Sequence, residues 1–298
     1  MRYGGALLAA TVLAFFAARA MPGDPVRLAL AAWNVPQTPE AVASLSEQWG
    51  LDRSLLEQYA RWLLRLVQGD WGQSFRTGQP ILAEFLDRAP WSLAIGLGGL
   101  SLGAIVALAL GFASARRPGG WADTTSRALA ILTQSLPGFA AALLLLWLFA
   151  IQLGWLRPFT GTTAERLVLP VMVVGIFSAA PLARVLRREL RQALAAPWVR
   201  AARARGIAER RILFVHAGRP ALAGFVAALA PEAAWVIGGT AVAEVVFAVP
   251  GVSLFLVQAM SARDHLVLQA YIVFVAAWMI LVSALAHAVR ARLDPRGA

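Results

Sequence analysis

Residues 91–115, from Trp91 to Ala115, read WSLAIGLGGLSLGAIVALALGFASA and contain no charged side chain. About 20 apolar residues in a helix cross the hydrocarbon core of a bilayer, so this run is long enough to span one. Gly96, Gly99 and Gly103 give it small residues where another helix backbone can approach closely. Five further apolar runs occupy Tyr3–Met21 and, approximately, Ala128–Leu153, Leu167–Leu186, Ala221–Val246 and Leu266–Val289. Together they predict an all-α integral membrane protein with six transmembrane helices. Composition agrees, because only 14% of the 298 residues are charged and soluble domains average about 25%.

The segments between the runs set the orientation. All 27 basic residues are arginine and the net charge is +11. Such a charge suggests nucleic acid, but the arginines follow the positive-inside pattern of membrane loops. Arg2, Arg116, Arg117, Arg127, the cluster from Arg187 to Arg219 and the C-terminal arginines fall on one side. The opposite short loops carry Arg157, Arg166 and Arg263. The bias places both termini in the cytoplasm and predicts no nucleic-acid partner. Ala18-Arg19-Ala20 is similar to a signal cleavage site, which leaves removal of the first run as an alternative.

Residues 22–90 form the one long polar region and are expected to be an ordered extracytoplasmic cap. Thr38 is placed to cap a helix that has Pro39 at its first position and Glu40 following. Leu55, Tyr59, Trp62, Leu63 and Leu66 recur at helical spacing and predict a second, amphipathic helix. Gly69-Asp70-Trp71-Gly72 ends it. The expected division is therefore a first transmembrane helix over 1–21, the cap over 22–90, a five-helix core over 91–289 and a cytoplasmic tail over 290–298.

Several chemistries are excluded. Without cysteine there are no disulfides, zinc–thiolate sites or thiol catalysis. Without lysine the chain has no Walker A loop, so it does not hydrolyse ATP through one. His216, His265 and His287 show no metal-ligand spacing, and no G-x-S-x-G elbow occurs. Catalytic residues, metal ligands and cofactors in this chain are predicted to be none. Glu232 and Glu244 fall in the fifth apolar run, where a carboxylate is costly and normally faces protein or water. Glu244, with Pro250 and Gly251 soon after it, is a candidate pathway or gate residue. The competing reading is a helix-end residue paired with an arginine.

The loop 187–220 is the most informative polar segment. Pro197 sits where a first helical residue would, and Gly206 where a helix would end. From Ala208 another helix can start, with Glu209 near its positive end. Ala201, Ala202 and Ala204 make a slim helix, Trp198 and Val199 give apolar grip, and Arg200, Arg203 and Arg205 offer guanidinium forks. Such a helix docks on a protein or lies on anionic lipid.

Trp198-Val199-Arg200-Ala201-Ala202-Arg203-Ala204-Arg205-Gly206, followed by His216, Ala217 and Arg219, resembles the cytoplasmic coupling loop of ABC importer permeases of the dipeptide, oligopeptide and nickel family. Further segments resemble that family in order. They are Pro22-Gly23-Asp24-Pro25, Gly50-Leu51-Asp52 with Gln58-Tyr59 and Trp62, and Gly69-Asp70 with Gly72 and Ser74. Then come Glu244-Val245-Val246-Phe247 with Pro250-Gly251, Arg263-Asp264 and Leu293-Asp294-Pro295-Arg296. Three departures stand out: Arg200-Ala201-Ala202 in place of the wider superfamily's Glu-Ala-Ala, Pro220 in place of asparagine, and His265 in place of tyrosine.

The resemblance implies the type I importer permease fold, retention of the first span, and residence in the bacterial inner membrane. It implies a second permease subunit, commonly in a heterodimer, two cytoplasmic ATPase subunits that hold ATP and Mg, and an extracytoplasmic substrate-binding protein. It assigns ATPase docking to Trp198, Val199, Arg200, Ala201, Ala202, Arg203 and Gly206, with His216 a weaker member. Asn34, Pro36 and Thr38-Pro39-Glu40 resemble the nickel permeases slightly more than the dipeptide ones, so nickel or a metal chelate stands beside di- and oligopeptides as cargo. The competing classes are an intramembrane enzyme and a membrane-anchored assembly factor that binds lipid or RNA.

Overall fold

The computed structural model describes residues 2–20 and 23–293. Pro22, the Asp294-Pro295-Arg296 motif and the rest of the expected tail beyond Leu293 lie outside the described residues. Among those residues, the helices are α1 (Arg2–Ala20), α2 (Pro25–Ala32), α3 (Pro39–Trp49), α4 (Leu55–Val67), α5 (Ile81–Arg116), α6 (Trp121–Ser135), α7 (Gly138–Leu146), α8 (Thr163–Ala195), α9 (Pro197–Ala204), α10 (Glu209–Arg211), α11 (Gly218–Ala234), α12 (Val236–Gly239), α13 (Ala241–Val246), α14 (Val252–Ser261) and α15 (His265–Leu293). Two π-helical turns, Trp147–Gln152 and Ile212–Ala217, follow α7 and α10. Extended pairing among the described residues is limited to one bridge between Gln73 and Pro80.

Five stretches are long and apolar enough to cross a membrane: Tyr3–Ala20, Ile81–Arg116, Thr163–Ala195, Glu209–Ala234 and His265–Ala288. α6 and α7 with its π turn pass the same test only as a pair, bent by 108°, and bring the number to six when counted as one span. The bend falls at Leu136-Pro137, where proline supplies no N–H to continue the ladder.

The chain divides into two units. The first takes residues up to Pro90 together with Pro250–Leu281. Of its short helices, α3 begins on the expected cap: Thr38 Oγ1 accepts from the Ala41 N–H at 3.2 Å, with Pro39 at the first position. α4 turns Tyr59 and Trp62 onto Phe15 of α1, with ring centroids 5.3 and 6.0 Å away. Thr11 and Tyr59 share a hydroxyl hydrogen bond of 2.9 Å. Gly69 and Gly72, at φ of 85° and 83°, turn the chain back after α4. Ser74 Oγ then donates to the buried Asp264 carboxylate at 2.7 Å, and Asp264 also accepts from the Val267 N–H to start α15. His265 Nδ1 donates to the Ala18 carbonyl at 3.1 Å.

The second unit takes Trp91–Val249 and the chain from Val282. Its α5 glycines face α8 and α12. A methyl carbon added at Gly99 would lie 2.5 Å from the Val174 side chain, and one at Gly103 would lie 2.9 Å from the Gly175 carbonyl. One at Gly96 would overlap Val236. The small-residue face expected of α5 is therefore filled by other helices. Leu182, Leu186 and Leu190 of α8 continue the seam against Leu213, Ala221 and Phe225.

Helix ends differ from the apolar boundaries. The second span was expected from Trp91, yet α5 starts ten residues earlier at Ile81. Charged side chains exclude those turns from lipid but not from a helix, and Arg88 pairs with Glu84 at 2.6 Å across one turn. The fourth span was expected over Leu167–Leu186, whereas α8 starts at a reciprocal Thr162–Glu165 capping box and runs on to Ala195. The first nine residues of the expected loop, Arg187–Ala195, are thus helical. The fifth span, expected through Val246, stops at Ala234 and continues only as the short α12 and α13.

Substituting Gly99→Val forces methyl groups into the α8 backbone seam, an overpacking that costs about 1–3 kcal/mol or more. The thermal midpoint of the detergent-purified protein is expected to fall, while Gly5→Val, with open space around it, leaves the midpoint unchanged. Equal midpoints for both variants contradict the assigned packing.

Candidate functional site

α9 is only eight residues long, and an isolated helix of that length is marginal in water. Both of its ends are fixed. Pro197 occupies the first position after Ala196, whose extended backbone stops α8. At the far end the Gly206 N–H donates to the Arg203 carbonyl at 2.9 Å, and the Ile207 N–H to the Ala202 carbonyl at 3.2 Å. That double closure, with Gly206 at φ 74°, is the Schellman motif. Its apolar contact is present too, because Val199, Ala202 and Ile212 bury together with Leu194 and Ile207.

The opposite face is open. Trp198 is 44% exposed, and Arg200, Ala201, Ala204 and Arg205 are exposed. Arg203 is also exposed but is held within the chain, with its Nε donating to Glu209 Oε1 at 2.6 Å. That hydrogen bond raises the Arg203 guanidinium above its ordinary range. The expected docking residues therefore separate into two groups. Trp198, Arg200, Ala201 and Gly206 lie open. Val199 and Ala202 anchor the helix from beneath. His216 stands half-buried in the π-helical turn, and its Nε2 is buried without a hydrogen-bond partner.

Glu244 is fully buried on α13. Its Oε1 accepts from Ser92 Oγ of α5 at 2.7 Å and from Thr240 Oγ1 at 2.6 Å. Two hydroxyl donors are thus among its partners. Pro250 and Gly251 belong to the other unit, where Gly251 precedes α14. The arrangement missing from the sequence-based expectations is centred on Asp123 of α6. This buried carboxylate meets Arg187 of α8 at 2.5 Å and Arg127 at 3.0 Å, and accepts from the Gly119 N–H at 3.1 Å. The Asp123–Arg127 spacing of four was visible in the sequence. The partner on α8 was not.

Comparison with known families then decides the class. A family profile described as "Binding-protein-dependent transport system inner membrane component" matches residues 99–297. The chain belongs to this family. The family's N-terminal profile matches residues 4–96 of the permease. A Brucella abortus protein named as a peptide transport system permease is 30% identical over 298 aligned residues, covering 97% of this chain and 94% of the relative. The glutathione transport system permease GsiC of Pectobacterium atrosepticum is 31% identical over 290, with the same coverage. GsiC of Salmonella paratyphi A is 30% identical over 289, again with that coverage. The permease is thus a multi-pass inner-membrane subunit of a binding-protein-dependent ABC importer of the peptide family, and not an enzyme.

Removing one member of a buried ion pair strands the other charge, at about 3–5 kcal/mol. Asp123→Ala is expected to lower the permease's stability by that order. Asp123→Ala combined with Arg187→Leu should recover much of the loss in thermal unfolding. Additive losses from the two changes contradict the pairing.

Proposed function

We propose that this permease forms half of a pathway for small peptides and receives ATP-driven movement through α9. The observation that carries this reading is the division of α9 into two faces. Val199 and Ala202 are buried against Ile212, so the aliphatic side of the helix is turned inward and taken up within the chain. Its outward face instead offers Trp198, the small Ala201, and the Arg200 and Arg205 guanidiniums. Aromatic and arginine side chains around a small-residue floor suit a protein surface. Two cytoplasmic ATPase subunits, which hold the ATP and Mg, are the occupants that fit. The partner permease completes the pathway as a heterodimer. Both termini lie in the cytoplasm, as the arginine bias indicates, and the region of α2 to α4 faces the substrate-binding protein outside. Glu244, with Ser92 and Thr240, lies beside the pathway.

The relatives named for peptide and glutathione transport favour peptides over nickel as cargo. Uptake of a labelled dipeptide should disappear when the gene is deleted, with nickel accumulation unchanged. The reverse pattern overturns the peptide reading.

Gly206 tests the docking role. Open space surrounds it, so only its positive φ resists a side chain. Gly206→Val strains the Schellman closure, whereas asparagine tolerates that conformation. Gly206→Val is expected to lower uptake at least about tenfold with membrane insertion unchanged, a cost of roughly 1–3 kcal/mol at the helix end. Gly206→Asn should retain most uptake. Full uptake by the valine variant contradicts the proposal.

A further inference from the structure

A groove of about 620 Å³ opens where α5 ends and α6 begins. That volume falls in the range of small-ligand sites, about 300–1,000 Å³. Leu108 and Phe112 of α5 and Phe214 of the second π-helical turn wall it, and Phe112 stacks on Phe214 with ring centroids 5.1 Å apart. Arg116 and Arg117 stand at its rim, both exposed, with no acidic partner among the described residues. Trp121, 74% exposed, also lines the groove.

We propose that this groove binds one anionic glycerophospholipid, an acyl chain along the apolar wall and the phosphate between Arg116 and Arg117. Three features favour that occupant. An apolar slot carrying two uncommitted guanidiniums at one end is complementary to an apolar chain with an anionic head. The slot lies where an apolar helix gives way to a charged turn, the level at which phosphates lie in a bilayer. Trp121 is there as well, and exposed tryptophan is enriched at that level. An apolar helix from another subunit would cover the slot but leave both arginines unmatched. The acyl chain would rest on the Phe112–Phe214 stack, and Phe214 is in the turn that follows α9 and α10. The inference requires only that the chain lies in a membrane, not that α9 docks an ATPase.

The complete transporter, purified in detergent, is titrated with dioleoylphosphatidylglycerol or dioleoylphosphatidylcholine and bound lipid is counted by native mass spectrometry. One tight phosphatidylglycerol is expected, with phosphatidylcholine clearly weaker. Each interfacial arginine contributes modestly, so R116A/R117A is expected to weaken binding roughly thirtyfold. R116K/R117K should stay within a few-fold of the parent. Ala113→Trp fills the groove with both charges intact and should also abolish the tight lipid. Equal binding of the two lipids, or unchanged binding in R116A/R117A or Ala113→Trp, overturns the site. Near-complete crosslinking of a cysteine at Ala109 to the partner permease also overturns it, because the groove is then a subunit interface.

Discussion

Leu186 and Leu190 remain fully buried on α8 where the chain has turned from apolar to arginine-rich. That continued seam is the constraint on which the rest of the second unit depends. It keeps α8 helical into the polar region, packed on α11 and the π-helical turn, until Ala196 and Pro197 stop it. Stopping there delivers α9 immediately after a rigid helix rather than at the end of a loose loop. Fully burying one aliphatic side chain contributes about 1.5–3 kcal/mol, and α9 needs such a contribution because helices this short do not persist alone. Val199 supplies it against Ile212. A push on the outer face of α9 therefore meets packed side chains connected to α8 and α11.

Two buried carboxylates hold the surrounding helices in different ways. Asp123 is matched by full charges from Arg187 and Arg127. It ties the start of α6 to the part of α8 that precedes α9. Glu244 is met by the Ser92 and Thr240 hydroxyls. It ties the short α13 to α5, which the glycine face already holds close to α8.

The sequence was informative where one residue type has one physical use. Pro197 and Gly206 bracketed α9 because one lacks an N–H and the other tolerates positive φ. Thr38 and Pro39 marked the start of α3 for similar reasons. Glycines in an uncharged run signalled close packing of α5. Helix ends were less legible, since hydropathy reports where lipid stops and not where hydrogen bonding stops. Ile81 and Ala195 lie beyond the apolar limits for that reason. Within the site, Ala202 and Ala201 look alike in the sequence, yet one is buried and the other open. Their roles follow from Ile212, which closes over one side of the helix. Asp123 was missed because its partner Arg187 is far along the chain and was read as one arginine among many.

The most direct measurement is a cysteine scan of α9 in the complete transporter, with crosslinking to the ATPase subunits. The natural chain has no cysteine, so each introduced thiol is the only one in this subunit. The account predicts crosslinks from positions 198, 201 and 205 and none from 199 or 202, a pattern with helical period. Crosslinks from 199 and 202 with none from 201, or no crosslink anywhere between 198 and 206, would contradict it.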